Sequence, residues 1–249
     1  MSFEKNGYAV IRNVLNFQTA KFLEKYMLLK RKVFSTFSKV KYYPDYDDTV
    51  GSFGDGQVNN QDVFCLYGDP GIESLFDVVT PVMEQETGLS LLPTYGYSRI
   101  YMKGSELVRH KDRFSCEIST TIALGGPSWP IYILPEETSG KYMVGSANNF
   151  KYHSDYKDGI KVDLNPGDIM IYRGNKFEHW RNPTSDDNIV QCFLHYNDAT
   201  NKDVNVALKN VYDTRPHLGL PSWFQNENWT PYLNENDLEY YGKNNDKSN

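Results

Sequence analysis

Residues 101–119 read YMKGSELVRHKDRFSCEIS and place His110 and Asp112 two positions apart. Side chains two residues apart in an extended segment point to the same side, so this imidazole and this carboxylate can bind one cation. An isolated His-x-Asp is a weak signal, because surface histidines often lie near aspartates. The pair therefore needs a third ligand from elsewhere in the chain.

That ligand is predicted in LNPGDIMIYRGNKFEHWRNP, residues 164–183. A Pro-Gly-Asp turn at 166–168 leads into a short apolar strand, and a second turn precedes His179. The 67 positions between Asp112 and His179 (179 minus 112) suit a chain that crosses several strands of a barrel and returns. Two histidines and one carboxylate leave three positions open on a metal, which is typical of Fe(II) oxygenases, whereas zinc favours a tetrahedral site. We therefore predict that His110, Asp112 and His179 are the catalytic ligands of a mononuclear non-haem iron(II) site.

The remainder of the chain predicts helices first and strands afterwards. After a first strand within 7–15, Asn16 is expected to cap a helix that runs from about Phe17 to Phe37. Its apolar residues recur at three- and four-residue steps and predict one packed face; they are Phe22, Leu23, Tyr26, Leu29, Val33 and Phe37. A second helix is expected over about 71–87, closed by Gly88. Six later strands are predicted at 95–102, 119–124, 130–134, 160–164, 168–172 and 189–196.

This order of elements predicts a mainly β fold with packed N-terminal helices, in which a helix layer covers a β-sandwich. We expect a single domain over 1–249, with helical support at about 16–90, a β core at about 95–198 and a C-terminal extension at 199–249. The aromatic part of that extension should pack, and the last eight or so residues should be disordered. The polar stretch within 41–62 is expected to be either a lid over a site or plain surface coil.

Composition narrows the class of partner. The 249 residues include 26 Lys and Arg against 32 Asp and Glu, without a basic stripe, so no nucleic-acid partner is expected. No secretory signal and no stretch of about 20 apolar residues is evident, which predicts a cytoplasmic protein without a membrane partner. Cys65, Cys116 and Cys192 show no C-x-x-C pairing, which favours buried thiols over disulfides or a zinc knuckle. The sequence does not predict an oligomeric state.

Residues 95–198, about two-fifths of the chain, resemble the 2-oxoglutarate- and Fe(II)-dependent oxygenases, specifically their prolyl-hydroxylase-like branch. The resemblance lies in R-I-Y, a Gly turn, V-R-H-K-D, an apolar strand, P-G-D, H-W and a closing strand. It implies a double-stranded β-helix of the jelly-roll, cupin-like type. It also implies Fe(II), the co-substrates 2-oxoglutarate and O₂, and ascorbate as a stimulant. The implied reaction hydroxylates a C–H bond of a peptide, prolyl or otherwise, or of a small molecule, and releases succinate and CO₂.

The resemblance also implies residues that hold 2-oxoglutarate. Tyr101 lies close to where the family places a contacting tyrosine. The family usually supplies an Arg or Lys after the second histidine to pair with the distal carboxylate, but here there is none between Arg181 and Lys202. A buried dianion still needs a cation. The candidates are Arg113 and Arg181, with Gln191 and His195 as secondary polar contacts.

Alternatives stay open for these residues and for the function. Arg113 would pair with Glu117 in a purely structural role, Arg181 with Asp186 or Asp187, and His195 would be a hydrogen-bonded core histidine. The first rival function is a cupin-type metalloenzyme that does not use 2-oxoglutarate. The second is a non-catalytic jelly-roll binding module. The substrate is undetermined, and residues 42–62 are where we expect its specificity to be set.

Overall fold

Two antiparallel sheets form the centre of this computed structural model, which describes residues 2–41, 50–143, 151–201, 212–213 and 215–222. The helices are α1 (Phe3–Asn6), α2 (Phe17–Lys39), α3 (Pro70–Glu73) and α4 (Phe76–Thr87), with a 3₁₀ turn at Phe114–Cys116. The strands are β1 (Tyr8–Ile11), β2 (Ser52–Phe53), β3 (Phe64–Tyr67), β4 (Leu91–Tyr101), β5 (Leu107–His110), β6 (Ile118–Gly125), β7 (Ile131–Glu137), β8 (Lys141–Met143), β9 (Lys151–His153), β10 (Ile160–Val162), β11 (Ile169–Tyr172), β12 (Phe177–Arg181) and β13 (Ile189–Asp198).

The larger sheet has seven strands in the order β1-β11-β6-β13-β4-β3-β2, and the smaller has four in the order β10-β7-β12-β5. A separate pair is formed by β8 and β9. The helices cover the outer face of the larger sheet with a core cluster that includes Leu23, Met27, Phe76, Met83 and Ile122. This cover explains why every residue of β6 is buried, on both faces of the strand. The prediction of a mainly β jelly roll with packed N-terminal helices is confirmed.

Six of the predicted later strands correspond to β4, β6, β7, β10, β11 and β13, and the first strand to β1. The sequence did not predict the six other strands, β2, β3, β5, β8, β9 and β12. Of these, β5 and β12 are paired neighbours in the smaller sheet. Both are short and carry charged residues, so their alternation is weak. They are nevertheless the strands that carry His110 and His179.

The helix ends follow local chemistry. The Asn16 side chain accepts a hydrogen bond from the Thr19 N–H at 2.9 Å, as expected of an N-cap. Gly88 ends α4 in the left-handed region at φ 70°, a conformation that glycine adopts readily. The single helix expected at 71–87 is instead divided into α3 and α4.

The predicted packed face of α2 is wrong in part. Ala20, Leu23 and Met27 are buried against the sheet, whereas Phe22 is 68% exposed and Leu29 is 54% exposed. The helix therefore has apolar residues on two sides, only one of which packs on the larger sheet.

In the described part of the polar stretch, residues 50–62, the segment 57–59 lies beside β5, whereas β2 pairs with β3. Val58 forms a bridge with Leu107, and the Val108 N–H donates to the Gln57 carbonyl at 2.9 Å. The rest of that stretch, residues 42–49, lies outside the described residues. This strip of chain brings Asp55 and Gln57 to the mouth of the barrel.

Residues 215–222 of the C-terminal extension are fixed by a buried ion pair. Arg215 Nη2 lies 2.8 Å from Glu73 Oε1, and both side chains are at most 1% exposed. The aromatic residues expected to pack, Trp223, Trp229 and Tyr232, and the last eight residues lie outside the described part. Among the described helices, none combines the length and apolar character needed to cross a bilayer.

Candidate metal centre

The antiparallel pairing of β5 with β12 places two imidazoles side by side. His110 and His179 are direct cross-strand partners, and their ring centroids are 4.2 Å apart. Asp112 follows β5, and its Oδ1 lies 3.4 Å from Nε2 of each histidine. These ligand atoms all lie within 4.8 Å of one another, so the three predicted side chains do converge.

Backbone carbonyls fix both rings. His110 Nδ1 lies 2.7 Å from the Val108 carbonyl, and His179 Nδ1 lies 3.0 Å from the Phe177 carbonyl. Because a carbonyl only accepts, each Nδ1 carries the proton and each Nε2 presents a lone pair to the shared space. Burial, and then the neighbouring His179, lower the pKa of His110, which favours the neutral ligand form.

The carboxylate of Asp112 is also held in place. Ser119 Oγ lies 3.1 Å from Oδ2, which leaves Oδ1 directed at the imidazoles. Burial alone would raise the pKa of Asp112, but the two histidines hold it well below its usual range. One carboxylate oxygen and two imidazole nitrogens form a ligand set that suits a divalent cation.

Gly174 completes this arrangement, and no sequence pattern singled it out. The Asp112 N–H donates to the Gly174 carbonyl at 2.9 Å. A Cβ at position 174 would overlap Asp112 Oδ2, the Cys116 carbonyl oxygen and Ser119 Oγ. The close approach of this turn to the carboxylate therefore requires glycine.

The three residues open onto a cavity of about 790 Å³. An aromatic wall on the larger sheet faces them, formed by Tyr67, Tyr95, Tyr97 and Phe193. The rings of Tyr67 and Tyr95 are stacked with centroids 4.9 Å apart. A substrate in this cavity would meet flat apolar surface close to the candidate metal position.

Two of the predicted co-substrate contacts line this cavity. Arg113 lies over the Tyr95 ring at 4.6 Å and pairs with Asp213, not with Glu117. His195 Nδ1 lies 2.9 Å from Ser119 Oγ, and burial lowers the pKa of His195 to about 4. His195 is therefore both a hydrogen-bonded core histidine and part of the cavity wall.

Arg181 is fully buried, at 1% exposure. Its Nη1 donates to the Trp129 carbonyl and its Nη2 to Gln191 Oε1 at 3.3 Å, while its Nε has no hydrogen-bond partner. Within the described ranges no carboxylate pairs with it, Asp186 and Asp187 included. Burial lowers the pKa of Arg181 to about 10. Among the described residues, this buried cation therefore has no counter-charge.

Tyr101 is also fully buried, and its hydroxyl lies 3.2 Å from Arg99 Nη1. Tyr101, Arg181 and Gln191 are not among the residues that line the cavity. Arg99 does line it, although the sequence did not single it out. Arg99 Nε and Nη2 lie 2.8 and 2.7 Å from Asp55 Oδ2. The partner is 44 positions away in sequence, so local pattern could not reveal the pair.

Comparisons with known proteins support the fold. No protein-family model matches the chain, and a search of curated proteins gave no match. Among solved structures, the chain is similar to a non-haem α-ketoglutarate-dependent carbocyclase, SnoK, from nogalamycin biosynthesis, with a TM-score of 0.54, 14% identity and coverage of 88% of this chain and 90% of that chain. The epimerase SnoN, in complex with Fe³⁺, α-ketoglutarate and nogalamycin RO, gives a TM-score of 0.53 at 13% identity, covering 80% and 82%.

A third similar structure is a prolyl hydroxylase from Trichoplax adhaerens in complex with a hypoxia-inducible factor peptide fragment. Its TM-score is 0.50 at 13% identity, with coverage of 84% of this chain and 89% of that chain. All three share the 2-oxoglutarate oxygenase fold. The double-stranded β-helix implied by the resemblance is therefore confirmed.

Proposed function

We propose that this chain is an Fe(II)- and 2-oxoglutarate-dependent oxygenase. It would hydroxylate a C–H bond of a peptide, prolyl or otherwise, or of a small molecule, with O₂ as oxidant and succinate and CO₂ as further products. The observation that carries the proposal is the convergence of His110, Asp112 and His179 beside the cavity. Two nitrogen ligands and one oxygen ligand on one side of a metal leave room for a chelating co-substrate and O₂.

The protein's contribution would be to orient and to exclude water. His110 and His179 would present Nε2 to the iron, because their Nδ1 protons are committed to backbone carbonyls. Ser119 would keep Asp112 in its orientation through Oδ2. Bound iron and 2-oxoglutarate would supply the oxidising chemistry, one oxygen atom of O₂ entering the substrate and the other entering succinate. The aromatic wall would exclude water from the reacting centre.

The distal carboxylate of 2-oxoglutarate would be held by Arg181, with Gln191 and Tyr101 beside it. Arg181 lies two residues beyond His179 on β12, so it is about 7 Å further along the strand. Its buried charge and its unused Nε–H are the features that an anionic ligand would satisfy. His195 would remain a polar contact near the metal, through Ser119.

Arg99 and Arg113 are the competing anchors. Each lines the cavity, but each already has a carboxylate partner, Asp55 or Asp213. An incoming carboxylate would have to displace that partner, whereas Arg181 pairs with no described carboxylate. This difference in charge balance favours Arg181.

The first experiment is metal binding measured by calorimetry with Mn(II). Wild-type protein should bind one ion, and Asp112→Ala should not bind it. The chain offers a matched control in Asp155, because His153 and Asp155 repeat the His-x-Asp spacing on the surface, with side chains 66% and 62% exposed. Asp155→Ala should bind Mn(II) like the wild type. Absence of binding by the wild type would favour the non-catalytic binding module.

The second experiment distinguishes the two metalloenzymes. Protein supplied with Fe(II), O₂ and 2-oxoglutarate should release succinate, and the Asp112→Ala variant should not. A protein that binds Mn(II) but neither binds 2-oxoglutarate nor forms succinate would be the cupin-type enzyme. A crystal soaked anaerobically with Mn(II) and 2-oxoglutarate would then show whether the distal carboxylate lies on Arg181, Arg99 or Arg113.

A further inference from the structure

The outward face of α2 carries an apolar row that the larger sheet does not cover. Phe22 is 68% exposed, Leu29 54%, Val33 38% and Val40, just past the helix end, 70%. At 100° per residue these four positions fall within about 40° of one another around the helix axis. Isolated exposed apolar residues are ordinary on protein surfaces, but a row along one side of a helix marks an interaction surface.

A row of lysines borders this apolar row. Lys25, Lys32 and Lys39 are exposed and lie seven positions apart, so they fall on nearly the same side of the helix. None of the ion pairs between described residues involves these three lysines. The two rows together form what we call the α2 outer face.

The charge of α2 is opposite to that of the whole chain. Its six basic residues are Lys21, Lys25, Lys30, Arg31, Lys32 and Lys39, and its one acidic residue is Glu24, so the helix has a net charge of +5. The complete chain has a net charge of −6. Lys21 pairs with Glu24 and Lys30 pairs with Asp69. The other basic side chains still concentrate positive charge on this helix, beside exposed apolar side chains.

We propose that the α2 outer face binds an anionic lipid surface, with α2 lying parallel to the membrane plane. An apolar row next to a lysine row is the pattern of helices that lie in the headgroup region. The inner face is packed on the sheet through Leu23 and Met27, and the outer face is exposed in the described part of the chain, where it can face a membrane. The 23-residue helix is about 35 Å long. The expectation of no membrane partner rested on the lack of a spanning segment, and a helix lying on the surface needs none.

Charge argues against a second copy of this chain as the occupant. Two copies of α2 packed antiparallel about a twofold axis would bring their lysine rows to the same side of the interface. Like charges at such positions are destabilising. An anionic surface instead gains attraction of about 1 kcal/mol per lysine, which is roughly a fivefold gain in affinity for each.

The test uses the full-length protein and vesicles of phosphatidylcholine with and without phosphatidylserine, in a sedimentation assay. Wild-type protein should bind the phosphatidylserine vesicles, less so at high salt, and should bind pure phosphatidylcholine much more weakly. The triple variant Lys25→Glu, Lys32→Glu and Lys39→Glu should bind at least roughly 100-fold more weakly.

Two further variants separate charge from apolar contact. Changing Phe22, Leu29 and Val40 to Ser should also abolish binding, because the apolar insertion is lost. The matched charge control changes Lys5, Lys103 and Lys157 to Glu; these exposed lysines lie outside α2, and the control should bind far better than the α2 lysine variant. Circular dichroism and a thermal melt identify any variant that fails to fold.

Several results would overturn the proposal. One is failure of the wild type to bind phosphatidylserine vesicles; another is equal loss in the α2 lysine variant and in its control. If the wild type forms a dimer, and if the changes at Phe22, Leu29 and Val40 abolish that dimer, the α2 outer face would instead bind a second copy of the chain. If the wild type binds soluble polyglutamate as tightly as it binds vesicles, and if the α2 lysine variant loses that binding too, the partner of the α2 outer face would be an acidic polypeptide.

Discussion

Replacing Arg181 with methionine should strongly weaken 2-oxoglutarate binding while changing the free energy of unfolding of the ligand-free protein very little. The guanidinium is buried, and no described carboxylate neutralises it. Burial lowers the pKa of this guanidinium to about 10. A lowered pKa in a base means that the charged form is less favourable in the folded protein than in the unfolded chain.

The magnitude follows from that pKa. At about 1.4 kcal/mol for each pKa unit, the buried charge opposes folding by about 3 kcal/mol. Methionine would remove this opposition, but it would also remove the hydrogen bonds to the Trp129 carbonyl, Gln191 and Thr121, which contribute about 1 kcal/mol each. The two effects should cancel to within about 1 kcal/mol in the unfolding free energy.

Arg215 provides the matched comparison. It is equally buried, but its guanidinium pairs with the buried carboxylate of Glu73. Replacing Arg215 with methionine would leave that carboxylate uncompensated and should cost about 3–5 kcal/mol. Two buried arginines of similar exposure should therefore respond very differently to the same substitution.

Urea unfolding of the metal-free proteins measures the stability difference, and calorimetry of 2-oxoglutarate on the Mn(II)-loaded proteins measures binding. Arg181→Met removes the proposed buried charge pair with 2-oxoglutarate. The variant should therefore bind 2-oxoglutarate at least about 30-fold more weakly than the wild type. The reasoning fails if Arg181→Met is destabilised as much as Arg215→Met. Unchanged 2-oxoglutarate affinity would move the anchor elsewhere, with Arg99 as the first candidate.

The remaining predictions concern the carboxylates. Asp112→Asn keeps the shape of the side chain but removes its charge, so Mn(II) affinity measured by calorimetry should fall at least about tenfold, and wild-type affinity would contradict the ligand assignment. Gly174→Ala should displace Asp112 and thereby lower Mn(II) affinity about 10- to 100-fold. A crystal structure of the variant with an unchanged metal site would contradict this prediction. Burial alone would raise the pKa of Asp168, but bonds from Arg12 and from two backbone amides lower it. A carboxyl group whose pKa is lowered by folding stabilises the fold at pH values above its unfolded pKa, near 3.8. Asp168→Asn should therefore lower the free energy of unfolding by about 1–3 kcal/mol at pH 7, measured with urea. The difference from the wild type should shrink as the pH falls below about 4. A difference that persists at pH 2 would contradict this account.

The convergence of His110, Asp112 and His179 could be predicted from the sequence because each part of the pattern is local. His110 and Asp112 share a segment, and His179 follows a turn and strand that the sequence marks clearly. The His153 and Asp155 pair shows that the spacing alone is insufficient, since it lies exposed on the surface. The buried pair differs from the exposed pair because the neighbouring strand β12 brings His179 beside it as a third candidate ligand.

The charge pairs of the cavity could not be predicted, because their partners are far apart in the chain. Asp55 reaches Arg99 from the polar stretch alongside β5, and Asp213 reaches Arg113 from 100 positions away. Sequence proximity instead suggested Glu117 as the partner of Arg113. Only the three-dimensional arrangement shows which arginines are neutralised. It shows that Arg181 is buried and that no described carboxylate pairs with it.

The packing of helix α2 also could not be fully predicted from the sequence. Its three- and four-residue steps identified a helix, but they merged two apolar rows into one predicted face. Leu23 and Met27 pack on the sheet, whereas Phe22 and Leu29 point outward on the opposite side. One packed interface needs a single apolar stripe. Helix α2 has more apolar residues than one such stripe requires, and regularly spaced lysines border the additional ones. This pattern is therefore evidence that the helix has a second surface to bury.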